Sequence, residues 1–127
     1  MRIPTFVVAA AVSVSLLTSV VFAQTKDEGT FMLGYGTSAS CGKYVEVRDE
    51  ERRSPGRWEH VSYMSWINGF VSGANWGLNA KLNGALKGTD LEGLLGWLEK
   101  YCRENPLDKL GNASLELIRE LVKRSVR

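Results

Sequence analysis

The 127 residues hold only one histidine and two cysteines, and the formal net charge is only +2. His60 stands next to Glu59. Adjacent helical positions diverge by about 100°, so this pair is not a base with its orienting carboxylate. No further ligand or base stands at a recognisable spacing from His60, and it reads as a partly buried residue at a helix start. Neither catalysis nor a metal or cofactor is expected. Acidic and basic residues are mixed along the chain, without a patch of interleaved arginines and aromatic rings, which argues against a nucleic-acid partner.

The most informative lack is of charge between Val61 and Ala80, VSYMSWINGFVSGANWGLNA, preceded by Glu59 and His60 and followed by Lys81. Wound as a helix, this stretch puts Tyr63, Met64, Ile67, Phe70, Val71, Ala74 and Leu78 on one broad bulky side. Nearly opposite lie serines and glycines, with Trp58 and Trp76 among them. Gly69, Gly73 and Gly77 recur one helical turn apart. Each glycine inside a helix costs about 1 kcal/mol against alanine. The expectation is therefore a central helix, from Trp58 to Leu82 or Asn83, whose glycine face is crossed closely by another backbone. A membrane-spanning reading is disfavoured by Asn68, Asn75 and Asn79, which share one flank of the wheel.

The first residues point to export. Met1-Arg2 precedes the apolar run Phe6 to Leu17, and Val21-Phe22-Ala23 presents a small-residue cut before Gln24. Residues 1–23 are expected to be a cleaved signal peptide, the alternative being an N-terminal anchor. No cysteine stands at the cut, so lipid modification is not expected. The expected location is the periplasm. There Cys41 and Cys102 read as one structural disulfide rather than a catalytic thiol.

Residues 24–37 read as an arm or loop, pinned through Phe31-Met32-Leu33, with a short edge strand as the alternative. Residues 38–127 read as a single helical domain: a small all-α, four-helix orthogonal bundle tied by one disulfide. Ser38 or Ser40 caps a first helix that runs to about Glu50. The charged run Asp49 to Arg53 reads as a solvated helix end, and Ser54-Pro55-Gly56 as a turn. After the central helix, Asn83-Gly84 supplies a stop. Thr89-Asp90-Leu91-Glu92 fits a capping box, and Leu91, Leu94, Leu95, Leu98, Tyr101 and Cys102 follow at helical spacing. Asn105-Pro106 ends that helix. Asn112 reads as the cap of a last helix with the stripe Leu115, Ile118, Leu121 and Val122, a better reading than the glycosylation acceptor that Asn112-Ala113-Ser114 also matches.

Cys41, the run Ile67-Asn68-Gly69-Phe70-Val71-Ser72-Gly73, then Leu98-Glu99-Lys100-Tyr101 ahead of Pro106, Ala113 and a closing amphipathic helix form a recurring arrangement. It resembles the Rap/Tai-type immunity proteins of type VI secretion and the related-looking Hde-type acid-stress chaperones. Over about Cys41 to Val122, the resemblance implies a disulfide-tied helical domain that acts by binding protein. An immunity-like protein would plug a toxic enzyme's site; an Hde-like chaperone would loosen in acid and expose apolar surface. A structural, envelope-associated role is the third class. Candidate contacts are the uncharged polar edge Asn68, Asn75 and Asn79, with Trp66 or Trp76 as an aromatic anchor unless these rings are core. The partner is expected to be a protein, and a homodimer stays open; no stable membrane span is expected after cleavage.

Overall fold

A computed structural model describes residues 33–126, so the expected signal peptide, its cleavage site and most of the arm lie outside the described residues. The described chain is all-α. There are four long helices, α2 (Cys41–Arg53), α3 (Trp58–Gly77), α5 (Leu91–Glu104) and α6 (Leu110–Ser125); a short α1 (Tyr35–Ser38) precedes them and a short α4 (Asn83–Lys87) lies between α3 and α5. Cys41 and Cys102 are bonded to each other, and both are fully buried.

Helix α2 begins as its sequence suggests, with the Ser40 hydroxyl accepting from the Lys43 N–H at 3.2 Å. Cys41, Tyr44 and Val47 repeat at helical spacing and turn into the core. The Tyr44 ring is wholly buried, and its hydroxyl donates to the Leu95 carbonyl of α5 at 3.1 Å, so the burial leaves no polar atom unmatched. The segment between α5 and α6 is stitched to the start of α2: Cys41 N–H donates to Asp108 O at 2.8 Å and Gly42 N–H to Pro106 O at 3.0 Å. A Cβ on Gly42 would come within 3.3 Å of that same carbonyl, so two backbones approach closely here.

That observation corrects the reading of α3. Its bulky side is buried as expected, through Tyr63, Ile67 and Val71, but its glycine face is open. Among the described residues, a Cβ added at Gly69, Gly73 or Gly77 would meet nothing within 4 Å. A face without side chains offers little apolar area to bury, so the bulky side takes the core and the glycines are left outside. Gly73→Ala is accordingly expected to stabilise the protein by up to about 1 kcal/mol. A thermal melt checks this, and a lower midpoint would mean that a neighbour occupies this face.

Several boundaries also shift. Helix α3 stops at Gly77 rather than at Leu82 or Asn83, because Asn79 and Ala80 adopt left-handed φ values of 52° and 63°. Asn83-Gly84, read as a stop, opens α4. The cap of α5 is Asp90, whose carboxylate accepts from Gly93 N–H at 2.8 Å, and not Thr89. Asp108 fastens the start of α6 in place of Asn112: one oxygen accepts from Lys109 N–H, the same oxygen from the Asn112 amide, and the other from the Tyr101 hydroxyl. The buried stripe of α6 is Leu110, Ala113, Ser114, Leu117 and Leu121, rotated from the expected one; Leu115, Ile118 and Val122 sit half-buried beside it. Of the expected pin Phe31-Met32-Leu33, the first two lie outside the described residues and the Leu33 side chain is exposed; Tyr35 stacks on Tyr63 with ring centroids 4.0 Å apart.

Candidate functional site

Two features stand apart from the packed core: a charged cluster between α2 and α5, and the outward face of α3. In the cluster, Glu99 on α5 is only 8% exposed and receives three guanidinium groups. Arg48 donates to it at 3.2 Å, Arg103 at 2.7 Å, and Arg52 makes a short contact with it. Burial alone would raise the Glu99 carboxyl, but the hydrogen bonds from Arg52, Arg103 and Arg48 outweigh it and hold the group at about 2. Arg48 also reaches Glu92 at 3.3 Å and Nε2 of the buried His60 at 3.0 Å. Since a guanidinium only donates, His60 accepts there, which leaves its proton on Nδ1, the nitrogen 3.7 Å from Glu51. Glu51 in turn accepts from the Gly56 and Arg57 N–H groups at 2.8 and 3.1 Å and so closes the α2–α3 turn.

This arrangement joins three helices; its carboxylate is too weak a base, and too thoroughly hydrogen-bonded, to take a proton readily at neutral pH. In the charged run Asp49 to Arg53, read as a solvated helix end, Arg52 and Arg53 are exposed, but Arg52 also reaches Glu99 on α5, as does Arg48 just before the run. The signal was present: Arg48 lies seven residues after Cys41 on the buried stripe, and Glu99 four after Leu95.

On the outward face of α3, Trp58 is 75% and Trp76 88% exposed, with Val61 about half exposed between them. Asn68 and Asn79 are exposed as well. Ser72, Asn75, Trp76, Asn79 and Ala80 line an open hollow at the C-terminal end of the helix. Not all of the expected contacts belong to this surface. Asn75 is committed to the fold: its carbonyl oxygen accepts from Leu82 N–H at 2.9 Å and its amide donates to Asn83 Oδ1 at 2.8 Å, which holds the turn after α3. Trp66 is half-buried, stacks on Phe70 and donates from Nε1 to the Leu33 carbonyl at 2.8 Å. Trp58 was missed as a candidate contact, although five helical turns separate it from Trp76 and bring both to the same side.

A cavity of about 230 Å³ lies between α4, α5 and α6 over Leu94, Trp97, Leu117 and Leu121. It is smaller than the usual small-molecule site. Among the described residues no group of three His, Cys, Asp or Glu side chains could hold a metal ion, and no helix is long and apolar enough to cross a membrane. No protein-family description, curated protein or solved structure matches this chain.

Proposed function

We propose that this chain is an exported, periplasmic protein-binding module of the immunity or inhibitor kind, which holds one partner protein at neutral pH through the outward face of α3. The observation that carries this reading is the pair of exposed indoles, Trp58 and Trp76, on a helix face that bears no charge between them beyond Glu59. Exposed tryptophan on a rigid helix is the side chain that most often anchors a protein interface, since its large apolar area is held at little entropic cost. Asn68 and Asn79 flank it with amides that pair with a partner's backbone. The buried disulfide supports an oxidising compartment.

An acid-stress chaperone has less support. Its loosening would have to begin as carboxylates protonate near pH 4, and the carboxylate that ties α2 to α5 stays ionised down to about 2. A structural envelope role makes no demand on the indoles.

The test is capture of partners from envelope extract at neutral pH and again in acid, with the parent and with Trp76→Ala. One stoichiometric partner at neutral pH is expected, and the Trp76→Ala protein should bind it about thirtyfold or more weakly, a loss of roughly 2 kcal/mol, at an unchanged melting temperature. Many clients captured only in acid would replace this reading with the chaperone, and no partner in either condition would remove both.

A further inference from the structure

We infer that the hollow at the C-terminal end of α3 is a saccharide site, which takes one pyranose ring of an uncharged glycan flat on the indole of Trp76, with the ring's hydroxyls on Asn79, Asn75 and Ser72. The hollow holds about 450 Å³, within the range of ordinary small-molecule sites, and is lined by Ser72, Asn75, Trp76, Asn79 and Ala80. That lining is selective in its chemistry. It offers one large aromatic plane, and its other polar side chains are amides and a hydroxyl. None of its side chains ionises, so nothing there repays the hydration that a phosphate, carboxylate or ammonium would lose on entering. Beyond Ala80 it also lacks the aliphatic side chains that line a site for an apolar ligand.

A neutral sugar ring matches both kinds of group. The faces of a pyranose consist of C–H groups, and its hydroxyls point outward from the rim. Laid on an indole, the C–H groups meet the negative face of the π system, and apolar area on both partners leaves water. Each rim hydroxyl both donates and accepts, and an amide offers the same pair of functions side by side.

Much of the site is in place before a ligand arrives. The Asn75 amide is held from two sides, by Leu82 N–H at 2.9 Å and by Asn83 Oδ1 at 2.8 Å, which leaves one lone pair and one N–H for a ligand. Asn79 N–H donates to Trp76 O at 3.0 Å, and the left-handed φ of 52° at Asn79 turns the chain back beside the indole. Among the described residues, the Asn79 amide, the Ser72 hydroxyl and the Trp76 indole N–H make no hydrogen bond. The indole itself is 88% exposed. Fixing these groups in the free protein lowers the ordering cost of binding. The hollow lies at one end of the face that we assign to a partner protein, but it does not rest on that reading. Trp58 stands about 27 Å away along the helix and takes no part in it.

The test is an NMR titration of the free protein, labelled with ¹⁵N, with cellobiose and separately with diacetylchitobiose. The two sugars distinguish a plain pyranose from one that carries an acetamido group. The side-chain N–H signals of Trp76 and Asn79 are expected to shift and saturate with at least one of them, with half-saturation between about 0.1 and about 10 mM, while the Trp58 indole signal stays in place. Sorbitol, which has the hydroxyls but no ring face, should leave all three unmoved. Trp76→Ala should weaken binding at least about tenfold, read at Asn79. Asn79→Gly, read at Trp76, should weaken it at least about fivefold, and glycine takes the same left-handed φ without strain. Both side chains are exposed, so the melting temperatures of these variants should stay close to that of the parent. No shift at Trp76 with either sugar up to about 50 mM overturns the proposal, whether or not the face captures a protein partner. Shifts that sorbitol reproduces overturn it too, as does binding that survives both substitutions undiminished.

Discussion

Replacing both Cys41 and Cys102 by alanine is expected to lower stability by about 4 kcal/mol and the melting temperature by roughly 15–30 °C. The bond joins residues 61 apart in sequence, and the chain-entropy argument assigns a loop of that length a cost near this value when it is released. A domain of this size has only about 5–15 kcal/mol in total, so the loss is a large share of it. The position of the bond adds to the effect. Cys41 opens α2 and Cys102 lies near the end of α5, beside the backbone bonds that join α2 to the α5–α6 connection. Those bonds are close partners only while the two helices are held together. Alanine is the better replacement than serine, because both sites are fully buried and a hydroxyl there would need a partner. Melts of the parent, with and without reductant, and of the double variant measure the loss. A midpoint within about 5 °C of the parent would show that the backbone stitch and the core hold α2 without the bond.

The elements of this fold were legible where periodicity alone decides them. Leu94, Leu95, Leu98 and Cys102 recur on one side of α5, and the structure buries them there. The disulfide was expected from the number of cysteines and the export reading. The bulky side of α3 was read as buried, and it is; what could not be read was whether a second backbone also crosses the glycine face, because a run of small residues on the wheel fits a close crossing and an open surface alike. The glycines stayed open. Likewise Asn75 and Asn79 stand on one flank of the wheel, but only the left-handed turn at Asn79 and Ala80 draws the Asn75 side chain onto Leu82 and leaves the Asn79 side chain outside. Glu99 was hidden for a different reason. A charged residue on an apolar stripe is read as an interruption until the opposing helix supplies its partners, and Arg48 and Arg52 are some fifty residues away in sequence.

Glu99→Gln is expected to cost about 3 kcal/mol at pH 7, and the cost should vanish in acid. The variant keeps the size of the side chain and one acceptor but removes the charge that Arg48, Arg52 and Arg103 share. Of these, Arg48 is the one enclosed by protein, so its charge loses its best partner without gaining water. The lowered Glu99 group gives both the magnitude and the pH window. A carboxyl held at about 2 in the folded protein, against 4.5 ordinarily, contributes stability that is fully present above about 4.5. That contribution is lost as the pH falls through about 2, where the folded protein no longer binds fewer protons at this group than the unfolded chain. Urea midpoints of parent and variant should therefore differ most at neutral pH, converge between 4.5 and 2, and coincide at the lower limit. The change should also reach the functional face. Arg48 bonds His60, two residues after Trp58, so loosening this cluster frees the first turn of α3. Partner capture by Glu99→Gln should fall at neutral pH as it would with a displaced Trp58. Two stability curves that run parallel from pH 7 to 2 would show that the three arginines are held by Asp49, Glu92 and solvent, with Glu99 incidental.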